Sequence, residues 1–159
     1  MKKNFLLIFI FYLSLIVSSY GAASSGSSSS SNYDKGASII KKAKKLESKG
    51  KIEKANKRYE KALEYLIKSN EKNPNQADTL NYLGFALRKL GNFEEAEKYY
   101  LEGLSIQPDH YGINEYLGEL YIQTNRIELA KERLEVLENC NCEEYNELKE
   151  VIENNYSNY

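Results

Sequence analysis

Read along the chain, apolar residues fall at helical spacings, and the pattern repeats. Leu80, Leu83, Leu87 and Leu90 lie three and four residues apart, on one face of a helix. Asn75 after Pro74 is expected to cap the start of that helix, and Gly91 to stop it. Asn92 then opens "NFEE", with Glu95 three residues on, a variant of the capping box. Phe93, Ala96, Tyr100 and Leu104 form the apolar stripe of the next helix, which Pro108 ends. The layout then recurs: "NYLG" returns as "EYLG", which carries Gly84 over to Gly118. The same interval separates Ala96 from Ala130 and Pro74 from Pro108, and it takes Leu83 and Leu87 to Leu117 and Tyr121. Asn125 stands where Gly91 stood, and Asn is the next-best residue for a left-handed turn.

A pair of short antiparallel helices cannot bury its apolar face alone. Stacking like pairs buries a continuous core, so the sequence repeats with the pair. Gly84 and Gly118 are small where two helices of a pair approach closely, and Ala96 and Ala130 do the same on the second helix. An earlier unit is visible in Ile39, Ala43, Leu46, Gly50, Ala55 and Tyr59, but in two registers. Leu46 to Ala55 is nine residues, as is Leu87 to Ala96, whereas Ala62 to Pro74 is twelve, as is Ala96 to Pro108. The registers differ by seven residues, two helical turns, which rotate the face by only about 20°. The second helix of this unit, about Ile52 to Asn73, is therefore expected to be two turns longer than its counterparts. Lys42 sits where Leu83 sits, which suits an exposed terminal repeat. After Cys142, Tyr145, Leu148 and Ile152 stripe an otherwise polar helix, the expected cap on the open end.

These residues resemble the tetratricopeptide repeat, whose pattern is large-x2-Leu-Gly-x2-Tyr, then Ala-x3-Phe, then Pro. One copy reads Leu80, Leu83, Gly84, Leu87, Ala96, Tyr100, Pro108; the next reads Asn114, Leu117, Gly118, Tyr121, Ala130, Leu134, with Cys142 in place of the closing proline. The resemblance implies an all-α fold, a right-handed α-solenoid of three helix-turn-helix pairs plus a C-terminal capping helix. Repeats are expected at about 37–74, 75–108 and 109–142, with the capping helix at 143–155. In this family the first helix of each pair lines a concave groove. Carried over, the partner-binding residues are Ile40, Lys44 and Glu47, then Asn81, Phe85 and Arg88, then Glu115, Glu119 and Ile122. Phe85 lies off the apolar face, either as an exposed anchor for a partner or as a filler against the neighbouring pair. Some members grip a peptide carboxylate with Lys and Asn. Lys44, Asn81 and Arg88 offer that chemistry, but Glu115 and Glu119 oppose it, so no binding of chaperone tails is expected.

The N-terminus has a different character. Lys2 and Lys3 precede the run Phe5–Val17, which is apolar apart from Ser14, and "SSYGAAS" follows. This is the layout of a secretory signal peptide, with cleavage expected near Ala23. The run is shorter than the roughly 17–25 residues that span a bilayer. No Cys follows it, so a lipid anchor is not expected. Residues 24–36, "SSGSSSSSNYDKG", read as a disordered Gly/Ser-rich linker. The expected location is outside the cytoplasm, in a bacterial periplasm or secreted. "NYS" at Asn155 is a formal glycosylation acceptor.

The net charge of −1 gives no reason to expect nucleic acid. Its distribution is uneven: Lys41–Lys61 holds ten Lys/Arg and three Glu, and Glu128–Glu153 three Lys/Arg and nine Glu. Beside the ordinary reading as solvated helix faces, such poles would steer an anionic partner, touch anionic lipid head groups weakly, or support self-association. His110, the single His, has no second ligand or base near it in sequence and reads as a solvated residue before a helix. No convergent catalytic set is present, and no enzyme, cofactor or metal is expected. Cys140 and Cys142 flank one residue. Three readings stay open: a disulfide fixing the turn before the capping helix, two half-buried thiols, or a thiol or metal role. The reading is a non-enzymatic interaction module or scaffold of the cell envelope that binds a protein or peptide in its groove. The alternative is a thiol- or metal-handling protein built on the Cys140/Cys142 pair.

Overall fold

Left-handed residues punctuate the chain in its structure, a computed structural model that describes residues 31–156. Positive φ angles occur at Gly50 (67°), Asn75 (60°), Gly91 (81°), Asn125 (59°) and Asn141 (50°). The described residues form seven helices: α1 (Asn32–Glu47), α2 (Ile52–Lys72), α3 (Ala77–Lys89), α4 (Phe93–Ile106), α5 (Tyr111–Gln123), α6 (Ile127–Leu137) and α7 (Glu143–Tyr156). The leader expected at 1–23 and most of the linker lie outside the described residues. Among the described residues, no helix is long and apolar enough to cross a membrane.

The linker expected over 24–36 ends earlier than its composition suggests. Ser31 Oγ accepts from the Asp34 amide at 3.1 Å while the Ser31 amide donates to Asp34 Oδ2 at 3.0 Å, a complete capping box that starts α1 at Asn32. Gly36 is buried, and a Cβ there would stand 2.6 Å from Leu66 Cγ. This glycine permits close approach, where the composition suggested flexibility. Two other expected caps are not formed. Asn75 supplies the left-handed turn, and Gln76 precedes α3 without a side-chain bond that caps the helix. Asn92 precedes α4, also without one; its amide instead donates to Leu87 O at 2.9 Å in the turn around Gly91.

Helices α1/α2, α3/α4 and α5/α6 pair, neighbouring pairs pack in chain order, and α7 packs on α5 and α6. Helix α2 has 21 residues against 14 for α4, a surplus of seven. That length places Ala55, Tyr59, Ala62 and Leu66 all on its buried face. Two continuous apolar clusters result, one centred on α1–α3 and one running from α3 through α7. Leu148 and Ile152 of α7 belong to the second, covering the open end.

The junction between α4 and α5 has no left-handed residue and is held by side chains. His110 caps α5: Nδ1 accepts from the Ile113 amide at 3.2 Å, and Nε2 lies 3.1 Å from Asp78 Oδ1. The side chain is only 12% exposed, so the expectation of a solvated His is corrected. A cap needs only an acceptor at the right position, and an imidazole nitrogen supplies one. Asn114 Nδ2 donates to Pro108 O at 3.0 Å and His110 O at 3.1 Å, closing the turn.

The small residues at the helix crossings are buried: Gly84, Ala96, Gly118 and Ala130, with Leu83 and Leu117 beside them; Pro108 stays exposed. Gly84 meets its own pair partner, since a Cβ there would lie 2.5 Å from the Tyr100 ring of α4. Gly118 does not. Its nearest neighbour is Leu148 of α7, 2.6 Å from the same hypothetical atom, because the capping helix takes the place of a following repeat. Gly84→Ala is therefore expected to cost about 1–3 kcal/mol, because the buried Tyr100 ring cannot retreat. Gly118→Ala should cost less, because the flexible end of Leu148, on a terminal helix, can move aside. Urea unfolding of both variants checks the order.

Candidate functional site

The expected groove residues lie on α1, α3 and α5, which contact one another in that order. The structure sorts them into two layers. Lys44 is exposed, and Glu47, Glu119 and Ile122 are half-buried. Ile40, Asn81, Phe85, Arg88 and Glu115 are buried, Phe85 and Glu115 with 2% of their surface exposed. These five lie beneath the exposed positions of that face. Of the two alternatives for Phe85, the filler is the one observed. Its ring lies 4.7 Å from that of Tyr116 on α5 and 5.9 Å, edge on, from that of Tyr59 on α2. Tyr116 is not among the expected groove residues. It precedes the Leu-Gly pair of its repeat as Tyr82 does in the copy before, a match that would have found it.

Cations close over this aromatic layer. Lys44 Nζ stands 5.5 Å from the Phe85 centroid and 5.8 Å from that of Tyr116, and Lys89 Nζ 5.7 Å from Phe85. The Arg88 guanidinium lies 5.5 and 5.6 Å from the same two rings. Such contacts gain strength where water is excluded. Arg88 forms an ion pair with Glu119 at 2.5 Å and donates from Nη1 to Gln123 at 3.3 Å, joining the second and third repeats. Burial opposes its charge, but Tyr100 and Glu119 outweigh burial and hold its pKa above the ordinary value. On the first repeat Glu47 accepts from Tyr59 Oη at 2.7 Å and from Lys89 Nζ at 2.8 Å. Burial would raise its pKa, yet these bonds depress it. The face is thus built on a polar and aromatic layer crossing all three repeats.

Glu115 is the exception in that layer. Its Oε1 has no hydrogen-bond partner. Burial, then a bond to Glu147 of α7, then the charge of Glu119 push its pKa up to about 10, with Lys44 acting weakly the other way. The carboxyl of Glu115 is therefore held in its protonated form at neutral pH. Among the described residues, no group of three or more His, Cys, Asp or Glu side chains is placed to hold a metal. Cys140 and Cys142 lie together, Cα atoms 5.1 Å apart, both packed against the second core cluster.

Against known proteins, residues 40–109 match the family described as tetratricopeptide repeat. Among curated proteins, the human protein O-mannosyl-transferase TMTC3 is 40% identical over 60 residues, which is 38% of this chain and 7% of that protein. The mouse protein of the same name is 39% identical over 59 residues, 37% and 6%. The chain spans about 7% of the length of these curated relatives, so the likeness is confined to a short stretch. Among solved structures, a tetratricopeptide repeat protein from Parabacteroides merdae ATCC 43184 superposes with a TM-score of 0.55 at 18% identity, over 80% of this chain and 61% of that one. Sequence motif, family match and fold agree: residues 40–109 are built of tetratricopeptide repeats, within an all-α stack of helical pairs. The class is one of interaction scaffolds, generally without enzymatic activity.

Buried Glu115 sets a pH dependence. A carboxyl protonated in the folded chain but ionised in the unfolded one, as here between its ordinary pKa of 4.5 and about 10, makes unfolding release a proton. This group's contribution to stability therefore falls as pH rises through that window. The thermal midpoint of Glu115→Gln, which keeps the shape of the protonated acid, should exceed that of the unmodified chain more at pH 8 than at pH 5. Melting curves of both proteins across that range check the difference.

Proposed function

We propose that the chain is an exported scaffold of the bacterial cell envelope that takes a peptide or protein segment on the face of α1, α3 and α5. The observation that carries this reading is the layered face itself. Lys44 is exposed and Glu119 and Ile122 are half-buried, while Phe85, Tyr116 and Arg88 beneath them are held by ring contacts and the ion pair to Glu119. A surface held rigid before binding loses little entropy on docking. Lys44 and Glu119 give it both signs of charge, which favours a mixed polar segment over a bare carboxylate tail. Export rests on the basic, apolar and small-residue order of residues 1–23. Contact with nucleic acid is not part of this reading.

The cysteine pair fits the same compartment. We propose a disulfide between Cys140 and Cys142 that pins the turn before α7. Asn141 between them has a φ of 50°, and the Cα separation of 5.1 Å lies within the range that a disulfide needs. The competing thiol- or metal-handling role lacks a third ligand among the described residues.

Two measurements test these readings. Photocrosslinkers at Lys44 and Ile122 in cells should give one discrete adduct, and one at Lys98, on α4, should not. Equal diffuse adducts from all three sites, or none, would sink groove binding. Mass spectrometry after alkylation without reductant should show both cysteines unmodified; labelling of both would remove the bridge.

A further inference from the structure

The strongest feature left over is the contrast between the two ends of the stack. Of the ten Lys/Arg from Lys41 to Lys61, Lys44 lies over aromatic rings and Lys61 pairs with Glu64, which leaves eight with no carboxylate partner among the described residues. All eight are exposed, and Glu53 and Glu60 are the unpaired acids among them. A depression of about 500 Å³ opens on this hairpin, with Leu46 in its lining and Lys54, Lys57, Arg58 and Lys61 around it. Ile52, at the start of α2, is 52% exposed.

The other end has the inverse character. Glu135, Glu138, Glu143, Glu144 and Glu150 have no ion-pair partner in the described residues. A depression of about 480 Å³ lies between α6 and α7, lined by Leu134, Tyr145, Lys131, Glu135 and Glu138. Val136 is 43% exposed on α6. The two depressions are similar in volume, mixed apolar and charged in lining, and opposite in prevailing sign.

Within one molecule these surfaces do not meet: α1 and α2 pack against each other and α3, whereas α6 and α7 pack against each other and α5. We infer that they meet between molecules, with the α6–α7 end of one copy docking on the α1–α2 hairpin of a second. Such a contact is heterologous, because different surfaces of the same chain join. It leaves a free cationic end and a free acidic end, so it propagates head to tail unless the rotation closes a ring. Most of the charges are exposed, so attraction dominates at low ionic strength and is screened by salt. The face of α1, α3 and α5 is not consumed, so a string of copies would present that face repeatedly.

Sedimentation velocity of the purified full chain tests this at about 10 mM salt, where charges act over about 30 Å, and at about 1 M, where they act over about 3 Å. The sedimentation coefficient should rise with protein concentration in the first buffer and lose that rise in the second. Lys54→Glu, Lys57→Glu and Arg58→Glu together turn the lining of the hairpin depression acidic; Glu135→Lys with Glu138→Lys turns the lining of the α6–α7 depression basic. Each variant alone should stay monomeric at low salt, and an equimolar mixture of the two should associate again. A monomeric unmodified chain at low salt, association that survives either reversal, or a mixture that does not assemble would overturn the inference. So would binding of the monomer to vesicles of anionic lipid through the basic hairpin without self-association. Circular dichroism of each variant verifies that the exposed substitutions leave the helices intact.

Discussion

A large side chain seated on the bare backbone of a glycine sets the helix spacing on which the rest of this stack depends. The contact recurs at four interfaces: Leu66 on Gly36 between α1 and α2, Tyr100 on Gly84 between α3 and α4, Ile113 on Gly103 between α4 and α5, and Leu148 on Gly118 between α5 and α7. A Cβ at any of the four would fall inside the neighbour's van der Waals envelope. Close approach at these points lets short helices bury a continuous core. Helix α3 illustrates the result, since Ala77, Leu80, Leu83, Phe85 and Ala86 are all buried on a helix of 13 residues. It packs against α2 and α4 and touches α1 and α5, so one apolar stripe would not suffice.

That packing explains why polar groups lie so deep on the inner helices. Arg88 is 3% exposed, which would be costly without a partner, and Glu119 from the next repeat supplies the charge. Removing either partner would leave the other charge partly buried and uncompensated. The Arg88–Glu119 ion pair, the Phe85–Tyr116 ring contact and the Lys89–Glu47 bond cross from repeat to repeat, so the face above them follows from the same register as the core. Function and fold are linked at this layer: it holds Lys44, Glu119 and Ile122 in place while contributing little surface of its own.

The repeat was legible because its physical cause is periodic. Leu83–Gly84 and Leu117–Gly118, Ala96 and Ala130, and the left-handed Gly91 and Asn125 all announce themselves at one fixed interval. The two competing registers around Ala55 and Ala62 disclosed the length of α2, because both alanines must reach the same face. Contacts between non-adjacent helices were not legible. Nothing in a single-helix pattern marks that Tyr116 would cover Phe85, or that Leu148 of α7 would occupy Gly118. Local caps depart from the composition in both directions. Ser31 and His110 cap where composition suggested linker and solvated residue, and Asn92 does not cap although its sequence fits, because its amide is drawn back into the Gly91 turn.

Native-state amide hydrogen exchange tests the central claim, that no helical pair is stable without its neighbours. Slowest exchange is expected in α3 and α4, packed from both sides, with α2 and α5 close behind and α7 opening first. Protection in α1–α2 should fall together with that of α3–α4 under mild urea. If α1–α2 kept its protection after α3–α4 had lost theirs, the first pair would be an independent unit and the account of mutual burial would be wrong.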